Sequence, residues 1–489
     1  MGEMPLNASP VVTDIPARLD RLPWGRWHWL VVISLGITWI LDGLEVTIVG
    51  AIGPMLETHA GLSLSAAQIG FSDGLYLAGA VAGALVLGYL TDRLGRKKLF
   101  MFTLLWYAVF TVLSGLAWNA PSFAVFRFMT GIGIGGEYAA INSAIDELIP
   151  AAHRGWADLA INSSWWIGTA VGSAESILLL NPHLISPTWG WRVSFLFGAI
   201  LAVAVVLVRR LVPESPRWLI THHRTDEAET VMRDIEEKVG RQHGVLARPD
   251  WTITIDPSQV VGFSRIVGTM LHTYPKRTVL SLSLMVTQAF LYNAIFFTEA
   301  LVLTAFFGVR PADVGYYIFP FAAGNLLGPW LLGPLFDRWG RRPMIASTYI
   351  LSGVLLVFTG LLFEGHMLSA VTITIAWSIV FFFASAGASA AYLTASEVFP
   401  VEARAMAIAF IYAIGTLVGG VAAPPIFGAL IQSGSISDVF DGYMIGALLM
   451  VIGGLTELWI GVKAEGQSLE RIAAPLHSYG RGGPGDAKE

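Results

Sequence analysis

The chain contains no cysteine in 489 residues, and only 13% of its residues are Asp, Glu, Lys or Arg. The first absence excludes disulfides and thiolate metal centres, and it leaves the redox compartment open. The second excludes an ordinary soluble domain, where roughly 25% of residues are charged. No G-x-x-x-x-G-K-[ST] loop occurs, so the usual phosphate cradle for ATP is missing. Nothing in the sequence suggests nucleic-acid binding, and no coherent nucleophile or metal constellation points to an enzyme.

What fills the chain instead is apolar: 54% of residues are hydrophobic and the mean hydropathy is +0.63. A spanning helix needs about 20 apolar residues. The runs predict twelve, at 27–49, 68–90, 99–118, 122–148, 156–180 and 190–212, then at 276–307, 313–335, 343–363, 368–396, 405–431 and 440–463. The first run is too long for the core of a signal peptide and is expected to stay as the first helix. Basic residues of the connections gather on one side: Arg18, Arg21 and Arg26, then Arg93, Arg96, Lys97 and Lys98, then Arg338, Arg341 and Arg342. The other side has Arg192 and Arg310 near helix ends. By the positive-inside rule both termini and these loops are cytoplasmic, in a cell (inner or plasma) membrane.

Two polar passages are written twice. Gly88-Tyr-Leu-Thr-Asp92-Arg93-Leu-Gly95-Arg96-Lys97 returns as Gly333-Pro-Leu-Phe-Asp337-Arg338-Trp-Gly340-Arg341-Arg342. Glu147-Leu-Ile-Pro150-Ala-Ala-His-Arg154 returns in nearly the same register as Glu397-Val-Phe-Pro400-Val-Glu-Ala-Arg404. The repeat predicts an all-α membrane protein of twelve transmembrane helices in two six-helix pseudo-symmetric bundles, the parallel-repeat design that suits alternating access. The expected division is a cytoplasmic segment 1–26, a bundle 27–212, a cytoplasmic linker with short helices 213–275, a second bundle 276–463 and a cytoplasmic tail 464–489. The tail is polar, Gly-rich at 480–485, and expected to lack fixed structure.

The repeated loops supply candidate gate residues: Asp92, Arg93, Arg96, Glu147, Arg154, Asp337, Arg338, Arg341, Glu397 and Arg404. Basic residues alone would set topology; the repeated acids suggest charge-assisted hydrogen bonds that latch the halves in one state and part in the other. Inside the membrane, Asp42 and Glu45 lie at i, i+3 on the first helix, and Arg127 lies near the start of the fourth. The first helix runs outward and the fourth inward, so Glu45 and Arg127 sit at similar depth and can pair. A membrane charge usually has a partner, and a protonatable one suggests proton coupling. Further membrane acids are Glu137, Glu175 and Glu299, against the single deep base Arg127. If Glu45 holds Arg127, neutral or cationic solutes enter more easily than anions. Candidate aromatic residues for the lining of a site are Trp165, Trp166, Tyr292, Phe296, Tyr316, Trp377, Tyr392 and Tyr412. His28 has no ligand-like partner and reads as a surface residue.

The duplicated loops, Arg127 with Gly131-x-Gly133-x-Gly135, Pro213-Glu-Ser-Pro-Arg-Trp-Leu219 and Ser396-Glu397-Val-Phe-Pro400 together resemble the major facilitator superfamily, and its sugar porter branch in particular. The resemblance implies a central cavity between the bundles. It implies a proton-coupling role for Glu45, in a Gly43-Leu44-Glu45 variant of that branch's first-helix motif, with Arg127 as partner and Asp42 as accessory or competing site. It also implies solute contacts from Gln288 and Asn293, from Asn325, from Asn162 and from Tyr392. Departures include Thr416 and Gly419 in the eleventh helix and Lys463-Ala-Glu-Gly466 after the last. Gly135-Gly136-Glu137-Tyr138 is more like metabolite and phosphate symporters, and Asp42-Gly43-Leu44-Glu45 resembles aromatic acid symporters. The expectation is a proton symporter of a small polar organic solute, sugar-like, working as a monomer without a cofactor and driven by the proton gradient. An aromatic acid or organic ion is the alternative solute, and an uncoupled facilitator or nutrient receptor the alternative roles.

Because the native chain has no cysteine, topology can be tested by single-cysteine labelling. A cysteine placed in the tail 464–489 should react with an impermeant maleimide only after cells are opened, and one placed at 308–313 should react in intact cells. The reverse pattern would overturn the orientation.

Overall fold

A computed structural model describes residues 11–474, apart from 58, 60, 65, 180–183, 210–212, 250, 256–262, 297–298, 310–314, 401–402 and 422. Among the described residues, twelve helical rods cross the molecule. The first six are α1 (Arg26–Glu57), α2 (Ala66–Leu94), α3 (Arg96–Gly115), α4 (Ala120–Leu148), α5 (Arg154–Ser163 continuing as Trp165–Leu179) and α6 (Pro187–Arg209). The second six are α7 (Pro275–Phe296, then Glu299–Phe307), α8 (Gly315–Arg338), α9 (Arg341–Glu364), α10 (Ala370–Glu397), α11 (Arg404–Gly415, a π-turn at Thr416–Gly420, then Ala423–Gln432) and α12 (Ile436–Ile460). Among the described residues, seven helices are long and apolar enough, by length and composition, to cross a membrane. Large apolar side chains are exposed on many of the rods, among them α3 (Phe102, Val109), α6 (Ile200, Val203), α9 (Phe358, Leu361) and α12 (Leu448, Leu455), which gives the bundle an apolar outer face suited to lipid.

The duplication reaches the helix ends. Asn119 and Ser122 form a capping box at the start of α4, and Ser369 and Thr372 form its counterpart at the start of α10. Gly95 and Gly340 precede α3 and α9 with φ of 99° and 102°, a region where a Cβ is strained. Beyond each glycine stands a glutamate from the segment that follows the sixth helix of its half. Glu214 accepts the Lys97 N–H at 3.2 Å, and Glu465 accepts the Arg341 N–H at 3.2 Å. A carboxylate at a helix N-terminus satisfies orphan donors and offsets the helix dipole. This third repeated contact leaves a faint mark in the sequence, a single Glu five residues after the sixth helix of each half.

The segments outside the bundles are more ordered than their polarity suggests. Residues Val11–Thr13 pair antiparallel with Ile253–Ile255 of the linker, a two-stranded addition to a fold expected to be all-helical. Short helices fill the linker at Pro216–Thr221, Thr225–His243 and Phe263–Gly268. The tail 464–489 is expected to lack fixed structure, yet 464–474 docks beneath the bundles through a short helix, Leu469–Ile472, and residues 475–489 lie outside the described residues. The reason is ionic: buried Arg217 needs a counter-charge, and Glu470 supplies it at 2.8 Å. His28 is a second correction. It is buried, accepts the Gly25 N–H at 3.1 Å and stacks on Trp24 at 5.1 Å.

Arg18, in the short helix Ile15–Asp20, hydrogen-bonds Glu236 at 2.6 Å and Glu229 at 2.8 Å on the linker helix Thr225–His243. These bonds raise the Arg18 pKa. Burial alone would push the Glu236 carboxyl up, but hydrogen bonds from Arg18 and Arg21 outweigh it and hold Glu236 below the usual range. A depressed carboxyl stabilises docking above the unfolded value of about 4.3 and loses that contribution as pH falls through the folded value. Glu236→Gln should cost about 1 kcal/mol of docking. Proteolysis within 11–21 should then rise roughly fivefold at neutral pH, and the wild-type chain should show the same rise only when acidified below about pH 4.

Candidate functional site

The site is built on a backbone contact between α1 and α5. A Cβ on Gly43 would collide with the Trp165 carbonyl oxygen, and one on Gly168 with the Ile40 carbonyl oxygen. Side chains on either side of Gly43 are therefore pressed into the bundle. Glu45 forms an ion pair with Arg127 of α4, both about 1% exposed. Its second oxygen accepts from the Thr111 hydroxyl of α3 at 3.5 Å, and the Arg127 guanidinium lies 4.2 Å over the Tyr76 ring of α2. Removing one partner of such a pair costs roughly 3–5 kcal/mol, because a bare buried charge remains. Asp42 takes different donors: the Trp165 indole N–H at 2.8 Å and the Tyr76 hydroxyl at 3.4 Å. Glu137 lies deeper on α4, while Glu175 and Glu299 lie on α5 and α7; all three are buried.

Between the halves stands an aromatic layer. From α5, Trp165 meets Phe296 at 5.7 Å, and Trp166 meets Tyr292 at 6.1 Å and Phe321 at 5.6 Å. Trp39 of α1 meets Tyr392 of α10 at 6.2 Å, and Tyr392 meets Tyr412 of α11 at 6.4 Å. Tyr316 is 75% exposed and lies outside this layer, and Trp377 is buried within the second bundle. The four candidate amides all turn a donor inward. Gln288 donates to the Met285 sulfur at 3.0 Å, Asn293 to the Ala289 carbonyl at 2.7 Å, Asn325 to the Phe321 carbonyl at 2.9 Å and Asn162 to the Asp158 carbonyl at 3.0 Å. The Asn325 oxygen also accepts the Tyr292 hydroxyl at 2.7 Å, which joins an amide to the aromatic layer.

At the ends that carry the repeated loops, the halves are clasped. The Glu–Arg motifs pair crosswise: Arg154 reaches Glu397 at 3.6 Å, and Arg404 reaches Glu147 at 3.8 Å. Asp337 accepts the Gly155 and Trp156 N–H groups at the start of α5, at 3.1 and 2.9 Å, so one half's carboxylate sits on the other half's helix terminus. A Cβ on Gly155 would strike Arg341 and Asp337, so glycine permits the approach. Arg341 bonds both Asp337 at 2.8 Å and Glu397 at 3.0 Å. Arg93 and Arg338 are exposed, with Arg93 4.4 Å over the Tyr89 ring. The side chains of Asp92 and Arg96 lie outside the described residues.

Sequence spacing does not point to several partners that the structure supplies. Asp20 bridges Arg217 at 3.0 Å and Arg154 at 3.5 Å, and the Gln467 carbonyl accepts from Arg154 at 3.3 Å. Trp165 as the donor to Asp42 has no local signal at all. Glu214 and Glu465 had one, their like positions after the sixth helix of each half.

Comparison with known proteins agrees with this architecture. The family model described as "Sugar (and other) transporter" matches residues 30–475. The niacin transporter NiaP of Acinetobacter baylyi is 27% identical over 467 residues, covering 94% of this chain and 99% of that protein. The 4-hydroxybenzoate transporter PcaK of the same organism is 25% identical over 454 residues, covering 92% and 94%. Among solved structures, the proton:xylose symporter XylE bound to 6-bromo-6-deoxy-D-glucose aligns with a TM-score of 0.74 at 20% identity, covering 91% of this chain and 98% of that one. A partially occluded inward-open XylE from E. coli aligns at 0.59, with 20% identity and coverage of 88% and 98%. These likenesses show the fold.

The clasp can be loosened without touching the membrane charges. Asp337→Asn keeps the shape but weakens two charge-assisted bonds, each worth about 1.5–3 kcal/mol. The parted state should rise roughly tenfold or more, read as a longer distance between spin labels at positions 153 and 339. An unchanged distance distribution would remove Asp337 from the gate.

Proposed function

The chain belongs to the sugar (and other) transporter family, and from that premise we propose that it is a proton-coupled symporter of a small polar aromatic solute. It works by alternating access in the inner or plasma membrane, with both termini cytoplasmic. The observation that carries this reading is the adjacency of two carboxyls to two different kinds of partner. Glu45 holds the cation, and Asp42, one turn away, holds an indole of the aromatic layer. A proton arriving at Glu45 cancels the charge that binds Arg127. The guanidinium then stays beside Tyr76 and can receive a solute carboxylate, while the solute ring packs among Trp165, Trp166 and Phe296. Solute and proton stabilise the same state, which is the condition for coupling.

In this reading Asp337, Arg341, Glu397, Arg154, Arg404 and Glu147 hold the cytoplasmic side closed. Release requires that clasp to part after the solute has bound. Two relatives named for niacin and 4-hydroxybenzoate support an aromatic acid. A sugar-like solute is the second reading, favoured by the Tyr292–Asn325 hydrogen bond at the interface, a polar pair within reach of the aromatic layer.

Purified protein in liposomes holding a pH-sensitive dye separates these readings. Niacin or 4-hydroxybenzoate should acidify the lumen beyond the rate in protein-free liposomes, and sugars should not. Glu45→Gln should abolish this acidification by at least tenfold while leaving solute exchange measurable. Acidification by pentoses or hexoses alone would favour the sugar reading. Solute exchange without proton movement would reduce Glu45–Arg127 to a structural pair.

A further inference from the structure

A cavity of about 10 Å³ lies inside the first bundle, lined by Thr38, Trp39, Asp42, Ile134, Glu137 and Ile141. That is about the room one water needs. Glu137 is 3% exposed, and its Oε1 has no hydrogen-bond partner among the described residues; the same holds for the Thr38 hydroxyl oxygen. With Asp42 they give the cavity three polar groups, the number a buried water typically engages. We propose that Glu137 and Asp42 form a second proton site, a carboxyl pair bridged across this cavity by one water or hydronium ion. The inference rests on the symporter reading and adds to it a second proton-binding group, separate from Glu45.

The charges around the pair support sharing of a proton. Arg127 lies on the same helix as Glu137 but ten residues before it, roughly 15 Å along the axis, and is held by Glu45. Among the described residues, the ionisable groups beside Glu137 are Asp42 and Glu45 of α1, neither of them a cation; beside Asp42 stand Tyr76 of α2, Tyr107 of α3 and Tyr392 of α10, and Arg127 approaches that end only across the Tyr76 ring. An ionised Glu137 would therefore stand as a buried charge without a counter-ion, a cost of several kcal/mol. Asp42 as a carboxylate only accepts, and the Trp165 indole N–H and Tyr76 hydroxyl already donate to it. A proton on Glu137 supplies an O–H that can reach Asp42 through the bridging water. Two carboxyls at one site share a proton more readily than both ionise.

The pair also touches the solute layer. The Trp165 ring bonded to Asp42 lies edge-on to Trp166 at 4.8 Å and to Phe296 at 5.7 Å. Protonation at Glu137 changes how strongly Asp42 holds that indole, and hence the shape offered to the solute. Thr38 lies one turn before Asp42 on outward-running α1, so the cavity lies on the cytoplasmic side of Asp42, along a route for proton release.

The test needs no solute. Infrared difference spectra after a pH jump, on the full chain in liposomes, report protonated carboxyls by their carbonyl bands. Glu137→Gln should remove a band distinct from the one that Glu45→Gln removes. Asp42→Asn should displace the Glu137 band, because the O–H loses a carboxylate acceptor. Glu137→Asp, which keeps the acid, should shift that band and covers the case in which Gln fails to fold. If Glu137→Gln leaves every band in place, or Asp42→Asn leaves the Glu137 band unmoved, the pair does not exist. Failure of any solute to move protons, with these bands intact, would overturn the symporter reading alone.

Discussion

A charge carried from water into a bilayer costs several kcal/mol unless an opposite charge or a proton meets it. That cost organises the molecule at both depths. In the membrane it binds Glu45 to Arg127, with Thr111 and Tyr76 filling the remaining contacts. Beneath the membrane it collects Asp20, Arg154, Arg217, Arg341, Glu397 and Glu470 into one buried network. Because each partner belongs to a different segment, satisfying the charges also fixes where the segments lie. The ordered part of the tail is the plainest instance, since its docking follows from the need of Arg217.

The same constraint gives the clasp its capacity to switch. Pairs at 3.6 and 3.8 Å, Arg154–Glu397 and Arg404–Glu147, are attractive but looser than the Arg341–Glu397 bonds within one half. The Glu–Arg ion pairs between the halves are thus looser than the one that ties α9 to α10, while the Asp337 bonds to the α5 N-terminus, at 3.1 and 2.9 Å, are as short as it. Two stiff bodies joined by breakable polar bonds move by rotation at their interface rather than by internal deformation.

Close backbone approach is the second physical theme. Gly43, Gly168 and Gly155 remove side chains where α1 meets α5 and where α5 meets the end of α8. The first contact brings the Trp165 indole to Asp42; the second brings the α5 N-terminus to Asp337. One helix therefore carries both an aromatic wall of the site and an anchor of the clasp. The aromatic layer and the clasp are thereby joined through one rod, α5, rather than through a chain of loops.

The sequence alone determined the membrane class, the twelve spans, the two halves and the pairing of Glu45 with Arg127. Each of these follows from local or periodic information: apolar run length, charge sidedness, repeated motifs, and depth counted in residues from a helix end. Only the tertiary structure decided that Arg154 meets Glu397 rather than an acid of its own motif. It likewise decided that Trp165 serves Asp42, that Glu214 and Glu465 cap α3 and α9, and that residues 11–13 pair with the linker as a strand. These choices depend on how each helix is rotated about its axis and how the halves are turned against each other. Packing and small residues at distant positions set those angles, and a linear pattern of hydropathy does not contain them.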